Sequence, residues 1–389
     1  MYISKSIRKS IRKIGLITAV GLCSILLFSC KHGAEVKDDT MGKTFKDAFK
    51  DKFYIGVAIN RRQALQKNEK ETTLIKQYFN SISPENDLKW ENIHPSQGIY
   101  NFDPADSYVK TGTESDMFII GHTLVWHSQT PDWVFTDEQE NLLTREELLK
   151  RMKDHIDTVV SRYKGKIKGW DVVNEALNED GSLRDSKWRT IIGDDYIEKA
   201  FEFAHAADPE AELYYNDYNL YKTEKRSGAI KIVNSLKEKG IPIKAVGEQG
   251  HYNLDRASLQ DIEATIQDFI KAGVNVNFTE LDISVLPEAN ADATADVANS
   301  EIYKEELNPY ADGLPTEVEN RLAQRYGSIF KLFVKYEKHI DRITFWGLSD
   351  ADTWLNNWPV RGRTNYPLPF NRDYTLKKEV AKAILDTAK

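Results

Sequence analysis

The chain has 389 residues, 41% hydrophobic and 29% charged, with 8 Trp, 18 Tyr and 16 Phe, the composition of an aromatic-rich globular protein. Its formal net charge of −7 disfavours nucleic acid and anionic membrane surfaces as partners. Both cysteines, Cys23 and Cys30, fall within the first thirty residues, so the remainder offers no disulfide, no Cys-ligated zinc and no Cys nucleophile.

The chain opens on the basic segment MYISKSIRKSIRK, followed by the short apolar run GLITAVGLCSILLF and by Ser29-Cys30. That order reads as a secretion signal, too short and wrongly flanked for an ordinary membrane span. Leu27-Phe28-Ser29-Cys30 resembles a bacterial lipobox, which implies cleavage after residue 29 and a lipid on Cys30; Phe28 fits loosely where a small or aliphatic residue is usual. An uncleaved anchor is the alternative, disfavoured by the short run and its flanks. Residues 1–29 hold five basic residues and no acidic one, so cleavage takes the charge from −7 to −12. The expectation is an exported lipoprotein of the Gram-negative type, held to the outer membrane on its periplasmic or cell-surface face. Residues 30–45 read as anchor and solvated tether. The Lys37-Asp38-Asp39 stretch also resembles a surface-export signal, although a spacer is the simpler reading.

Residues 46–389 read as one domain in which short apolar runs alternate with helical patterns. The strand expectations are FYIGVAI (53–59), SISPEN (81–86), MFIIGHTLV (117–125), IKGWDVV (167–173), ELYYND (212–217), AVGEQGH (245–251), VNFTELDI (276–283) and RITFWGL (342–348). Between them, Thr144-x-x-Glu147 is a capping box for a helix ending at Gly165, Thr223 begins a helix ending at Gly240, and another ends at Gly273. Eight continuous apolar strands, each followed by a helix, imply parallel pairing and an α/β fold that closes as a (β/α)8 TIM barrel. An open doubly wound sheet is the rival, but no G-x-G-x-x-G follows the first strand. The loop 284–316 is longer than a barrel requires; it follows strand seven on the face where barrel enzymes carry their sites.

In a barrel, polar side chains at the C-terminal strand ends converge on one opening, whereas elsewhere on the strands they would be buried. Strand two ends in Glu85-Asn86 with Lys89 beyond, strand three carries His122 and leads to Trp126, and strand four ends in Asn174-Glu175. Strand five ends in Asn216-Asp217-Tyr218, strand six supplies Gln249 and His251, strand seven Glu280 and Asp282, and strand eight Trp346 with Trp354 in its loop. One polar strand end is ordinarily a cap or a turn, but seven aimed at one opening are not. Glu175 and Glu280 each follow directly on a buried run, and two carboxylates facing across a pocket suit glycoside hydrolysis without metal or cofactor. For either alone a structural ion pair would be the simpler reading. Gly42-Lys43-Thr44 lacks the upstream glycine and the preceding strand of a phosphate loop, and His122 and His127 point to opposite faces of an extended segment.

WDVVNEA and FTELDI, together with SPENDLKWENIHPSQGIYNFDPAD, GHTLVWHSQTPDW, YYNDYN, GEQGHY and TFWGLSDADTWLNNW, resemble the motifs of glycoside hydrolase family 10, the endo-β-1,4-xylanases. The resemblance runs in order from about residue 53 to about residue 376 and touches every strand end from two to eight. It implies a retaining hydrolase acting on internal β-1,4 links of xylan and xylo-oligosaccharides, with carboxyls about 5–5.5 Å apart. It further implies Glu175 as acid/base and Glu280 as nucleophile, with Asn174 at the sugar 2-hydroxyl and His251 between Glu280 and Asp282. Glu85, Asn86, Lys89, His122 and Gln249 resemble the family's sugar-binding polar set, and Trp126, Trp346 and Trp354 its aromatic walls, with Tyr218 bordering the leaving-group side. Trp90, Trp133, Trp170 and Trp188 read as core. The alternatives are an endo-β-1,4-glucanase on the same fold and a surface glycan-binding lipoprotein without turnover. A monomer is expected. Glu248 stands where the family commonly has an apolar residue.

Overall fold

The structure is a computed structural model that describes residues 42–288 and 304–389. The leader, Cys30, nearly all of the tether and residues 289–303 of the long loop lie outside the described residues. Phe45, assigned to the tether by sequence, is fully buried and packs its ring against Tyr78, Phe345 and Phe370. Among the described residues no helix is long and apolar enough to cross a membrane.

Among the described residues nine strands form in chain order: β1 (Tyr54–Ile59), β2 (Ser81–Pro84), β3 (Phe118–Trp126), β4 (Ile167–Asn174), β5 (Glu212–Asp217), β6 (Ala245–Glu248), β7 (His251–Asn253), β8 (Asn275–Ser284) and β9 (Arg342–Phe345). All pairings between these strands are parallel; β1 pairs with both β2 and β9, and β6 with both β5 and β8. That closes eight strands into a (β/α)8 barrel and leaves no open edge for a doubly wound sheet. The runs expected as strands are buried nearly throughout, as parallel strands covered by helices require.

Strand six differs from its sequence reading. AVGEQGH is not one strand: β6 stops at Glu248, Gly250 turns at φ +82°, and the chain resumes as β7 beside the end of β8, with His251 opposite Asp282. Glycine accepts that left-handed turn without steric cost, and the turn re-aims His251 toward β8. β2 and β9 also stop earlier than expected, at Pro84 and Phe345, and deliver Glu85 and Trp346 from the turns beyond.

Two covering helices start on the expected residues, after Thr144 and at Thr223, and stop shortly before Gly165 and Gly240; a third stops at Gly273 as expected. Thr144 and Glu147 make both bonds of the capping box at the head of Arg145–Arg162, and Gly273, at φ +76°, closes Leu259–Ala272. The helix after β5 spans Thr223–Glu238 and carries Lys225 inward, where it is fully buried. Trp90, Trp170 and Trp188 are core residues and Trp133 packs partly buried against them.

Candidate active site

The C-terminal strand ends meet in a cleft of about 210 Å³. Every residue expected to contact substrate lines it except Tyr218. Glu175 follows β4 directly, and its backbone N–H donates to Asn216 C=O (2.8 Å), so the ladder to β5 fixes where the carboxylate leaves the strand. Its Oε1 accepts from Gln249 Nε2 (3.0 Å) and its Oε2 from Trp126 Nε1 (2.9 Å). Trp126 is thus more than a wall.

Glu280, inside β8, is held by different partners. Oε1 accepts from Asn216 Nδ2 (2.9 Å), and Oε2 lies 3.2 Å from His251 Nε2. His251 Nδ1 lies 3.1 Å from Asp282 Oδ1, an ion-pair contact off the line of a hydrogen bond. The other Asp282 oxygen accepts from Trp354 Nε1 (2.8 Å), so a fully buried carboxylate anchors both the histidine and the indole.

These surroundings drive the two carboxyls apart. Burial, followed by the negative charges of Asp217 and Glu280, raises Glu175 to about 7 against the bonds from Gln249 and Trp126. Burial would also raise Glu280, but the hydrogen bond from His251, the nearby His122 and His251 rings and the Asn216 amide outweigh it and hold Glu280 below its ordinary value. Burial lowers His251, yet Asp282 and Glu280 together raise it to about 10, so it stands as a cation between two carboxylates. One carboxyl that keeps its proton up toward neutral pH thus shares the cleft with one that gives it up below the ordinary carboxylate range.

Asn216 links the two. Its Nδ2 also donates to Asn174 Oδ1 (2.8 Å), and its own Oδ1 accepts from Thr279 (2.6 Å). With the Asn174 oxygen thus engaged, its NH2 is the group left for a ligand. Gly247 makes room for this: a Cβ there would sit 2.2 Å from Asn216 Oδ1.

Farther along the cleft, Lys89 Nζ donates to Asn86 Oδ1 (3.0 Å) and Gln129 Oε1 (2.9 Å) and lies 4.9 Å from the Trp126 ring centre. Burial lowers the Lys89 ammonium, countered by Glu280, Glu85 and Glu175; burial raises Glu85 to about 7. His122 Nδ1 bonds Asp171 Oδ2 (3.0 Å), and its ring meets Trp346 edge-on at 5.6 Å. The carboxylate can only accept, so Nδ1 carries the proton. Among the described residues no cluster has the makings of a metal site.

Tyr218 stands apart. It is buried, its ring covers Lys225 Nζ at 3.3 Å, and its hydroxyl accepts from Arg184 (3.0 Å), which turns it away from the cleft. Gln129 and Asn216 were not singled out from sequence. Asn216 was visible at the end of strand five, but only the fold shows that it spans Asn174 and Glu280. Gln129, at φ +47° in the loop after β3, carried no signal beyond its polar neighbours. Glu248 has a structural account: its buried carboxylate accepts the Leu220 N–H (2.7 Å).

Residues 44–387 match the family Glycosyl hydrolase family 10. Endo-1,4-beta-xylanase A of Xylanibacter ruminicola is 46% identical over 341 residues, covering 88% of this chain and 92% of that one. The solved structure of a GH10 endoxylanase from a sugarcane soil metagenome superposes with a TM-score of 0.86 at 44% identity, over 88% of this chain and 99% of that one. A mutant solved in complex with xylotriose superposes with a TM-score of 0.78 at 36% identity, over 88% and 99%. The barrel, the paired carboxyls at the ends of β4 and within β8, and this similarity along nearly the whole described body place the chain in glycosyl hydrolase family 10.

Proposed function

We propose that the protein is a retaining endo-1,4-β-xylanase, and that Glu175 and Glu280 are its acid/base and nucleophile. The observation that carries this reading is the split between two buried carboxyls in one cleft, one holding a proton to about pH 7 and the other ionised below its ordinary range. Glu280 attacks the anomeric carbon while Glu175 gives its proton to the leaving oxygen. Water, deprotonated by Glu175, then releases the sugar from Glu280 with net retention. As Glu280 gives up its charge to the new bond, His251 stays fixed by Asp282. The Asn174 NH2 reaches the 2-hydroxyl, a contact that strengthens in the transition state. Glu85, Asn86, Lys89, His122, Gln249 and Gln129 bind the sugars on the non-reducing side, and Trp126, Trp346 and Trp354 give apolar faces for the rings to lie on.

Xylose lacks the hydroxymethyl group of glucose, so a cleft closed by Trp346 and Lys89 excludes a glucan by clash rather than by weaker attraction. The test is hydrolysis of glucuronoxylan beside carboxymethylcellulose, with product lengths followed over time. Mixed xylo-oligosaccharides from xylan, with cellulose left intact, are expected. Cleavage of the cellulose at a similar rate would make the protein a glucanase, and binding of xylan without cleavage would make it a glycan-binding protein.

The lipobox-like stretch ending at Cys30 supports an exported lipoprotein held at the outer membrane, and the cleft, complete within one chain, is consistent with a monomer. Cys30→Ala should move the full-length protein from the membrane fraction to the soluble one; retention at the membrane would point to an uncleaved anchor instead.

A further inference from the structure

Glu175 has φ +55°, a left-handed backbone that a residue with a Cβ rarely adopts. Both polar groups of the peptide that follows it are held. The Glu175 C=O accepts from Arg184 Nε (3.3 Å), and the Ala176 N–H donates to the Tyr215 hydroxyl (3.1 Å). That hydroxyl in turn donates to Asp217 Oδ2 (2.5 Å). Asp217 Oδ1 takes the Tyr218 N–H (2.9 Å) and pairs with Lys225 Nζ (3.0 Å), which also reaches Glu179 Oε1 (3.2 Å). Tyr215, Asp217 and Lys225 are fully buried, and none of them lines the cleft. A buried carboxylate and ammonium are costly to desolvate, and a core of apolar residues would serve the barrel as well. The chain of contacts starts at a buried ion pair and ends on the backbone of one strained residue.

We infer that Tyr215 and Asp217, backed by Lys225, are positioning residues for the proton donor: they clamp the 175–176 peptide so that the Glu175 carboxyl faces the leaving oxygen. This rests on the reading of Glu175 as acid/base. Asp217 also adds its negative charge to the charged and titratable groups around Glu175, which are Glu280 from β8 and Lys89 from the turn after β2 in the cleft, and Tyr218 after β5 outside it, with the Gln249 and Trp126 donors. Arg184 touches the Glu175 backbone. Removing the Asp217 charge lets Glu175 release its proton more easily, so the alkaline limb of the rate moves to lower pH.

The test uses Tyr215→Phe, Asp217→Asn, and the charge-balanced pair Asp217→Asn with Lys225→Met, which keeps the experiment open should the lone Asp217 variant fail to fold. Each is assayed on xylohexaose and on a dinitrophenyl β-xylobioside, whose leaving group needs no proton. Positioning predicts a fall in kcat/KM of about 10-fold or more on xylohexaose, against less than about 3-fold on the aryl substrate. It also predicts an alkaline limb displaced downward in both Asp217 variants. Equal losses on the two substrates, or an alkaline limb that stays in place, would overturn the inference and leave the chain a structural brace. Glu175→Ala is the control. If it does not itself show the leaving-group split, the reading of Glu175 fails, and the inference with it; if it does and the others do not, the inference alone fails.

Discussion

Replacing Glu280 by Gln should remove hydrolysis of xylan by on the order of 10⁵-fold, the scale of losing a covalent nucleophile, while oligosaccharide binding persists. The amide is nearly isosteric, and its oxygen can still accept from Asn216 Nδ2, so the cleft keeps its shape. What is lost is the charge that, in the proposed mechanism, attacks the anomeric carbon. His251, raised to about 10 by Asp282 and Glu280 together, also loses one of its two carboxylate partners and is held by Asp282 alone. Xylohexaose binding by calorimetry, beside reducing-sugar release, separates the two effects. Activity within about 10-fold of the parent would remove Glu280 from its assigned role, and loss of binding alone would recast it as a sugar contact.

Glu175→Ala should cost about 10²–10⁴-fold in kcat/KM on xylan, the usual contribution of a positioned proton donor, and much less on an aryl xyloside with a good leaving group. The pH dependence of the parent enzyme follows from the same residue. In its proposed role Glu175 acts in its protonated form, and its pKa is raised from 4.5 to about 7, so kcat/KM should fall as pH rises through about 7. As the proposed nucleophile Glu280 acts ionised, and its pKa is lowered, so the acid limb should lie below the ordinary carboxylate range. In Glu175→Ala the alkaline limb near 7 should vanish while the acid limb stays. A limb near 7 that survives the substitution would assign that proton to another group; Glu85, raised to a similar value by burial, is the first to suspect.

The barrel was legible because each of its eight strands is an apolar run that must be buried on both faces, and because helix ends such as Thr144 and Gly273 carry local signals. The proposed catalytic pair was legible for the converse reason. A carboxylate placed directly after such a run, at Glu175, or inside one, at Glu280, has no solvent to enter and so demands a function or a partner. What stayed hidden depends on contacts between residues far apart in sequence. Tyr218 ends strand five just as Glu175 ends strand four, but Lys225 and Arg184 draw it out of the cleft, and neither spacing announces that contact. The bridge that Asn216 makes between Asn174 and Glu280 requires the closed barrel, and so does the room that Gly247 leaves for it. The break of strand six at Gly250 could have been suspected from a glycine inside an apolar run, but its purpose appears only once His251 stands beside Asp282. Of the long loop, the 304–316 side contains a short 3-10 turn, Glu305–Leu307, and the 284–288 side carries Glu288, which pairs with Arg256 at 3.0 Å.

The most direct test of the account is proton NMR of residues 31–389 acting on glucuronoxylan, following the anomeric signal of the first reducing ends before mutarotation. Attack by Glu280 and then by water each inverts the anomeric carbon, so the account predicts that the β-anomer forms first. Early formation of the α-anomer would mean a single displacement by water, and would contradict both the covalent step and the role given to Glu280.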